Sequence, residues 1–264
     1  MIFKIIILLA FITSIVLAQK DIDARAIMEK VYARDDGTTL EQNMLMLLVD
    51  KHGQIRSRDI KTFTKDYDQD VYKIMFFNSP ADVKNSAFLT YDYSNSKKED
   101  DQWLYLPALK KIKRIPSSEK SSSFMGSDFS YFDMGKRNID DYSYKFIKES
   151  TVHGKKVWII ESLPLNQKVI DESNYEKTIS LVRQDNYVVV RSIDFTTNGQ
   201  MKYMEVKKMY QEKEIWLAQE VSMTVKKLGV IVHSTILKFS NTKLNENIDD
   251  YLFTSRQLTK GYYQ

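Results

Sequence analysis

The sequence predicts a mainly β fold: a strongly curved antiparallel sheet, preceded by one helix, whose concave side is filled or lidded. Three observations predict it. Long β-branched and aromatic runs follow one another from residue 40 onward, joined by turns such as Asn198-Gly199 and Leu228-Gly229. Only 8 Gly and 4 Pro interrupt the 264 residues, which leaves room for about a dozen strands. The strands also alternate differently. Over 214–226, Ile215, Leu217, Val221, Met223 and Val225 share one face. Glu214, Glu220, Ser222, Thr224 and Lys226 share the other, apart from Trp216 and Ala218. Val157-Trp158-Ile159-Ile160 and Trp103-Leu104-Tyr105-Leu106 are instead apolar on both faces, so those regions are covered twice. A bent sheet with an occupied hollow satisfies both patterns.

The first element, MIFKIIILLAFITSIVLAQK, has Lys4, an apolar run from Ile5 to Leu17, and Val16-Leu17-Ala18 at cleavage-type positions. This is the pattern of a secretory signal peptide at residues 1–18, shorter than the roughly 20 residues of a spanning helix. An uncleaved anchor is the alternative. Cleavage leaves 19–264 as one exported domain, expected in the periplasm, with Gln19 and no thiol at its new terminus. Next, Ile22, Ala26, Ile27, Met28 and Val31 recur at helical spacing, with Asp21 or Asp23 before them and Gly37 after. That spacing predicts an amphipathic helix over 22–35.

LEQNMLMLLVDK, QIRSRDIKTFTKDYD, YKIMFFN, SAFLTYDYS, DQWLYLP and KKIKRIP then read as strands. Beyond a serine-rich stretch come DYSYKFIKES, KKVWIIESLP, TISLVRQ, YVVVRSIDFTT, QMKYMEVKKMYQ, EIWLAQEVSMTVKK and VIVHSTILKFS. SNSKKEDDQ and NQKVIDESNYEK read as surface loops. NENIDDYLFTSRQL predicts a helical turn near 248–253 and a last short strand.

Composition narrows the chemistry. With 43% hydrophobic residues a sizeable core is available. Cysteine is absent, so disulfides, thiol nucleophiles and cysteine-metal sites are excluded. A net charge of +4 is too mild to imply nucleic acid. His52 and His153 sit beside glycines in turns, and His233 lies within a strand, so no pair has metal-ligand spacing. No Gly-x-Ser-x-Gly elbow or phosphate-binding glycine loop occurs. Asp35-Asp36, Asp140-Asp141 and Asp249-Asp250 fall in loops and helix ends, where carboxylates cap or are solvated. Catalysis has no residue set to rest on.

Two segments remain. KKIKR carries Lys110, Lys111, Lys113 and Arg114; on a strand both of its faces are charged. It reads either as a protected sheet edge or as a docking patch for an acidic protein or anionic headgroups. SSEKSSSFMGSDFSYFDMGKR, residues 117–137, is loop-like yet holds Phe124, Met125, Phe129, Tyr131, Phe132 and Met134. Each such side chain costs roughly 1.5–3 kcal/mol if left in water. The segment is either a permanent plug or a movable cover hinged at Gly126 and Gly135; both need a hollow.

WLYLPALKKIKRI, continuing into SSFMGSDFSYFDM, resembles the LolA-like branch of the outer-membrane lipoprotein-sorting family, a branch encountered alongside RND/MMPL-type exporters. The resemblance covers most of the chain from the helix near 22 to DDYLFTSRQL. It implies an unclosed β-barrel with helices over its mouth and an apolar interior, without catalysis or cofactor. The implied partners are lipoprotein acyl chains or a free lipid, an RND/MMPL-type exporter, and a transient membrane contact. On this reading Phe124, Met125, Phe129, Tyr131 and Phe132 form the lid or cavity. Ile215, Leu217, Val221 and Met223 form walls, with Trp103 and Trp158 as further candidates. Carriers of this family hold the lid with an arginine on the barrel floor; no arginine here occupies a recognisable counterpart motif. The expected function is a periplasmic carrier that shields acyl chains between membranes; the alternative is a lipid-sensing regulatory or accessory subunit.

Overall fold

A computed structural model describes residues 22–95 and 98–262. The expected signal peptide at 1–18 lies outside the described residues. The predicted helix is α1 (Ala24–Tyr32), capped by Asp23, whose carboxylate accepts from the Ala26 amide at 3.1 Å. Six strands follow: β1 (Thr39–Asp50), β2 (Ile55–Tyr67), β3 (Asp70–Ser79), β4 (Ala87–Asp92), β5 (Asp101–Leu106) and β6 (Lys111–Arg114). Seven more complete the sheet: β7 (Tyr142–Val152), β8 (Lys155–Pro164), β9 (Tyr175–Arg183), β10 (Val189–Thr196), β11 (Gln200–Glu212), β12 (Ile215–Lys227) and β13 (Val230–Leu244).

All thirteen strands form one antiparallel sheet in the order β6-β5-β4-β3-β2-β1-β13-β12-β11-β10-β9-β8-β7. Two meanders, β1–β6 and β7–β13, are therefore sewn together through the β1–β13 pair. The barrel is not closed: β6 and β7 are its two edges. They are also consecutive in the chain, so residues 115–141 have to cross from one edge to the other.

That crossing shows how strongly the sheet bends. Lys73 on β3 donates to the Met134 carbonyl, while the adjacent Asp133 accepts from Tyr175 on β9. These strands are seven steps apart in the sheet, roughly 33 Å if it were flat. Neighbouring residues can reach both only if the sheet wraps around them.

Register assigns the two faces. Met44, Met46 and Leu48 of β1 lie beside Ile60, Met75, Phe77, Phe88 and Leu104, and all are buried under the crossing segment on the concave side. The opposite face of the same strands presents Phe63, Ile74, Phe76 and Leu89. There the C-terminal segment supplies Leu252, Phe253 and Leu258 as a second layer. This double covering is what the apolar run Trp103–Leu106 reports.

Two expectations are corrected here. The last short strand is instead α3 (Ser255–Lys260), which buries Gln257 and Leu258 and ends at Gly261 with φ 71°. The run NQKVIDESNYEK is not all loop: it holds α2 (Gln167–Ser173), with the Asn166 side chain capping the Val169 amide at 3.1 Å. The turn near 248–253 is present as a single 3₁₀ turn, Asp250–Phe253.

Because Leu258 is fully buried against the convex face, Leu258→Ala is expected to cost about 2–5 kcal/mol. Urea denaturation measures it. A loss below about 1 kcal/mol would mean that the C-terminal layer adds little to the sheet.

Candidate functional site

The crossing segment packs firmly over the β1–β6 half of the hollow. Phe124 is fully buried, with its ring 4.9 Å from Phe88, 5.5 Å from Tyr131 and 6.1 Å from Phe77. The segment's main chain bonds largely to itself, as from the Phe124 amide to the Phe129 carbonyl at 2.7 Å and from Tyr131 to Ser122 at 3.0 Å, and side chains from the sheet satisfy further carbonyls. Arg58 on β2 donates to the Met125 carbonyl. Gln102 on β5 donates to the Tyr131 carbonyl at 2.9 Å, and Lys73 to the Met134 carbonyl at 3.1 Å.

Carboxylates of the segment complete the attachment. Asp128 accepts from Thr235 at 2.7 Å and pairs with His233 Nδ1 at 2.8 Å. Asp133 is buried, 2.9 Å from the Lys202 ammonium and 2.8 Å from the Tyr175 hydroxyl. Burial alone would push the Asp133 carboxyl up, but Lys202 and Arg137 outweigh it and hold it below its ordinary value. Arg137 ends the segment, bound to Asp194 at 3.2 Å and Thr178 at 3.1 Å. Burial and the neighbouring Asp133 raise the Tyr175 hydroxyl well above its usual range, so it stays a neutral donor.

Over the β7–β13 half, the cover is α1. Ala24, Ile27 and Met28 pack on Ile160 and Val182, flanked by Tyr144, Phe146 and Trp158. Between α1 and the crossing segment a cavity of about 260 Å³ remains. Met28, Phe129, Phe132, Val189, Met204 and Met223 give it apolar walls; Ser162, Thr178, Ser180 and Ser192 line its floor, and the paired Asp133, Arg137 and Asp194 border it. A second cavity of about 420 Å³ lies toward the start of β1, with Leu40, Val71, Trp216, Leu217 and Phe239 among its walls. Val31, Tyr32 and Gly135 border both, so the C-terminal turn of α1 is the partition between them.

A third, polar cleft of about 290 Å³ faces Asp92, Asp100, Asp141, Lys120 and Arg137. Burial raises the carboxyls of Asp92 and Asp141 and pushes that of Asp100 up to about 6. Among the described residues no cluster of His, Cys, Asp and Glu could hold a metal ion.

The residues singled out from sequence are thus divided. Phe129, Phe132 and Met223 border the smaller hollow, and Leu217 the larger. Trp158 lies on the same concave face under α1, and Val221 packs at the edge of the crossing segment's cluster. Phe124, Met125 and Tyr131 lie in the packed core and line neither hollow. Ile215 packs against Leu217 and Leu244. Trp103 lies outside, on the convex face beside Tyr91 and the C-terminal layer. On the edge strand β6, Lys113 pairs with Glu119 and Arg114 with Asp101, while Lys110 sits in a left-handed turn before it. Sequence reasoning missed Arg58, Lys73, Asp133, Arg137, Asp194 and Lys202. Lys202 and Asp194 break the apolar pattern of concave positions, which is the one signal that could have found them.

The fold has close counterparts. A family model described as "Uncharacterized protein" matches residues 69–260. A DUF1329 family protein from Desulfovibrio piger superposes with a TM-score of 0.81 at 25% identity, over 89% of this chain and 97% of that one. A Vibrio parahaemolyticus domain assigned to outer membrane lipoprotein sorting gives 0.80 at 27% identity, over 89% and 98%. The chain belongs to the LolA-like lipoprotein-sorting family. The LolA superfamily fold itself is shared with a Nitrosomonas europaea protein, at a TM-score of 0.67 and 16% identity over 89% and 99% of the chains. No curated protein matches the sequence.

Two outcomes follow from the anchoring groups. Asp133→Asn leaves the buried Lys202 ammonium uncompensated and should cost about 3–5 kcal/mol, with faster amide exchange across 128–137. Unchanged exchange there would show that the ion pair does not hold the segment. The raised carboxyls act in the other direction: the folded state binds their protons more tightly than the unfolded chain. Their contribution is full below the unfolded value near 4 and is lost as pH rises through about 6 for Asp100. The melting temperature should therefore fall between pH 4 and pH 6, and Asp100→Asn should flatten that slope. An equal slope in the variant would assign the dependence elsewhere.

Proposed function

We propose that the protein is a periplasmic carrier that shields the acyl chains of a lipoprotein or lipid during transfer between envelope membranes. The observation that carries this reading is the apolar hollow between α1 and residues 129–135. Each cavity is near the roughly 300–1,000 Å³ of ordinary ligand pockets. Displacing Tyr32 and Val31 would join them into one channel. Each methylene buried there contributes about 0.8 kcal/mol, so a partly enclosed chain gains several kcal/mol without any chemical step.

In this reading α1 is the movable cover and the 117–137 segment is the fixed plug. A nine-residue helix is marginal by itself and depends on the packing of Ile27 and Met28. The crossing segment is held at both ends by edge strands and in its middle by buried polar groups. The wall residues Met204 and Met223 are flexible thioethers that can repack around chains of varied shape.

Uptake of a fluorescent fatty acid by the purified protein tests this directly. Met204→Asp places a carboxylate in the apolar wall and should weaken uptake tenfold or more, roughly 1.4 kcal/mol or above. Absence of uptake by the parent protein would overturn the carrier. Accelerated movement of labelled lipid between donor and acceptor vesicles is expected; uptake without acceleration would favour a lipid sensor instead.

A further inference from the structure

The antiparallel order puts the turns of the sheet on two rims. One rim gathers the β1–β2, β3–β4, β5–β6, β10–β11 and β12–β13 turns. Ten large hydrophobic side chains are exposed among the described residues, and six of them stand on this rim. At the β12–β13 turn Leu228 is 93% exposed and Val230 66%, with Ile231 beside them. Ile55 follows the β1–β2 turn, and Leu109 and Ile112 flank the β5–β6 turn; Leu163 and Leu165 lie apart, where Lys168 meets Glu99 of the β4–β5 loop at 2.6 Å.

Charge separates along the same axis. Stretches 51–56, 107–113 and 226–231 of the apolar rim hold seven lysines and arginines and no acid. Among them are Lys110 and Lys111 of the basic segment. On the opposite rim, 66–70 carries Asp66, Asp68 and Asp70, and the β11–β12 turn carries Glu212 and Glu214.

The β12–β13 turn also goes against its own local chemistry. Leu228 and Gly229 both have positive φ, 50° and 80°, the two-residue hairpin geometry that Asn-Gly fills best. A leucine held left-handed costs about 1–2 kcal/mol and here recovers nothing by burial.

We propose that this rim docks on an anionic phospholipid surface, with Leu228, Val230, Ile231 and Ile55 entering the headgroup boundary and the neighbouring lysines binding phosphates. Apolar tips ringed by cations and an acidic far end are the pattern of an interfacial binder. Docked this way, the larger cavity, which opens beside Arg34 and Asp36 on the far rim, faces the aqueous side. The inference rests on the carrier reading only in supposing that the protein meets a membrane.

Co-sedimentation of the purified protein with vesicles tests it. Binding to phosphatidylcholine vesicles containing phosphatidylglycerol should exceed binding to phosphatidylcholine alone and weaken with added salt. Leu228→Asn should raise the melting temperature, since it repairs the turn, yet lower vesicle binding at least fivefold when combined with Val230→Ser. Lys51→Glu with Lys227→Glu should do the same to binding, while Ile147→Ser, off the rim, changes nothing. Equal binding to both vesicles, or rim variants that bind as the parent does, would overturn the proposal. So would a dimer in light scattering that the rim variants dissolve without any vesicle binding, since the face would then belong to a second copy. Fatty-acid uptake measured on the same samples separates the readings: lost docking with intact uptake refutes the rim alone, and the reverse refutes the carrier alone.

Discussion

The structure depends on the 115–141 crossing between the two edges of an open barrel. Because β6 and β7 are consecutive in sequence but terminal in the sheet, this connection cannot run along a surface. It must span the hollow, and its backbone folds into short turns that bond to themselves and leave some carbonyls over. Arg58, Lys73 and Gln102 of the sheet donate to three of these, and the carboxylates of Asp128 and Asp133 meet charged or hydroxyl partners on the far strands. The aromatic side chains that looked misplaced in a serine-rich loop are the part of the crossing that fills space.

This constraint divides the hollow. Where the crossing runs close to the floor, over β1–β6, the interior is packed and unavailable. Where it leaves the floor at Gly135, the gap passes to α1. At Gly135 itself a Cβ would lie 3.0 Å from Asp92 Oδ1, so the chain passes the sheet as closely as a glycine permits. The same point is the shared border of both cavities, so the close approach determines where the empty volume begins.

Much of the fold was legible because the signals were local. Alternation within EIWLAQEVSMTVKK, glycine turns and β-branched runs identify thirteen strand segments, and Asp23 with the Ile27–Val31 spacing identifies α1. The double-sided run at 103–106 correctly required a second layer, although no local pattern says that the C-terminal segment provides it; at 157–160 α1 covers one face and Val157 on the other packs on its sheet neighbours Val152 and Val190. What remained hidden was non-local. Trp103 and Trp158 look alike in sequence but fall on opposite faces, since face depends on register across the whole sheet. Lys202 and Asp133 are 69 residues apart and become partners only through curvature. The α3 helix was misread because SRQLTK is too short to show a period.

The two covers differ in kind, and that difference bears on how a carrier can be both tight and reversible. The crossing segment is attached through buried ion pairs and charge-assisted hydrogen bonds, which no hydrocarbon can replace; an acyl chain entering there would strand Asp133 and Lys202. Beneath α1 the contacts are Ile27 and Met28 on Ile160 and Val182, and its ion pair from Arg25 to Asp140 is exposed and weak. Replacing those contacts with methylenes exchanges one apolar surface for another at little net cost. A hollow that opens on the α1 side and stays plugged on the other can therefore exchange contents without unfolding, because Asp133, Arg137 and Asp194, which border the smaller cavity, keep their own partners while the apolar contacts exchange.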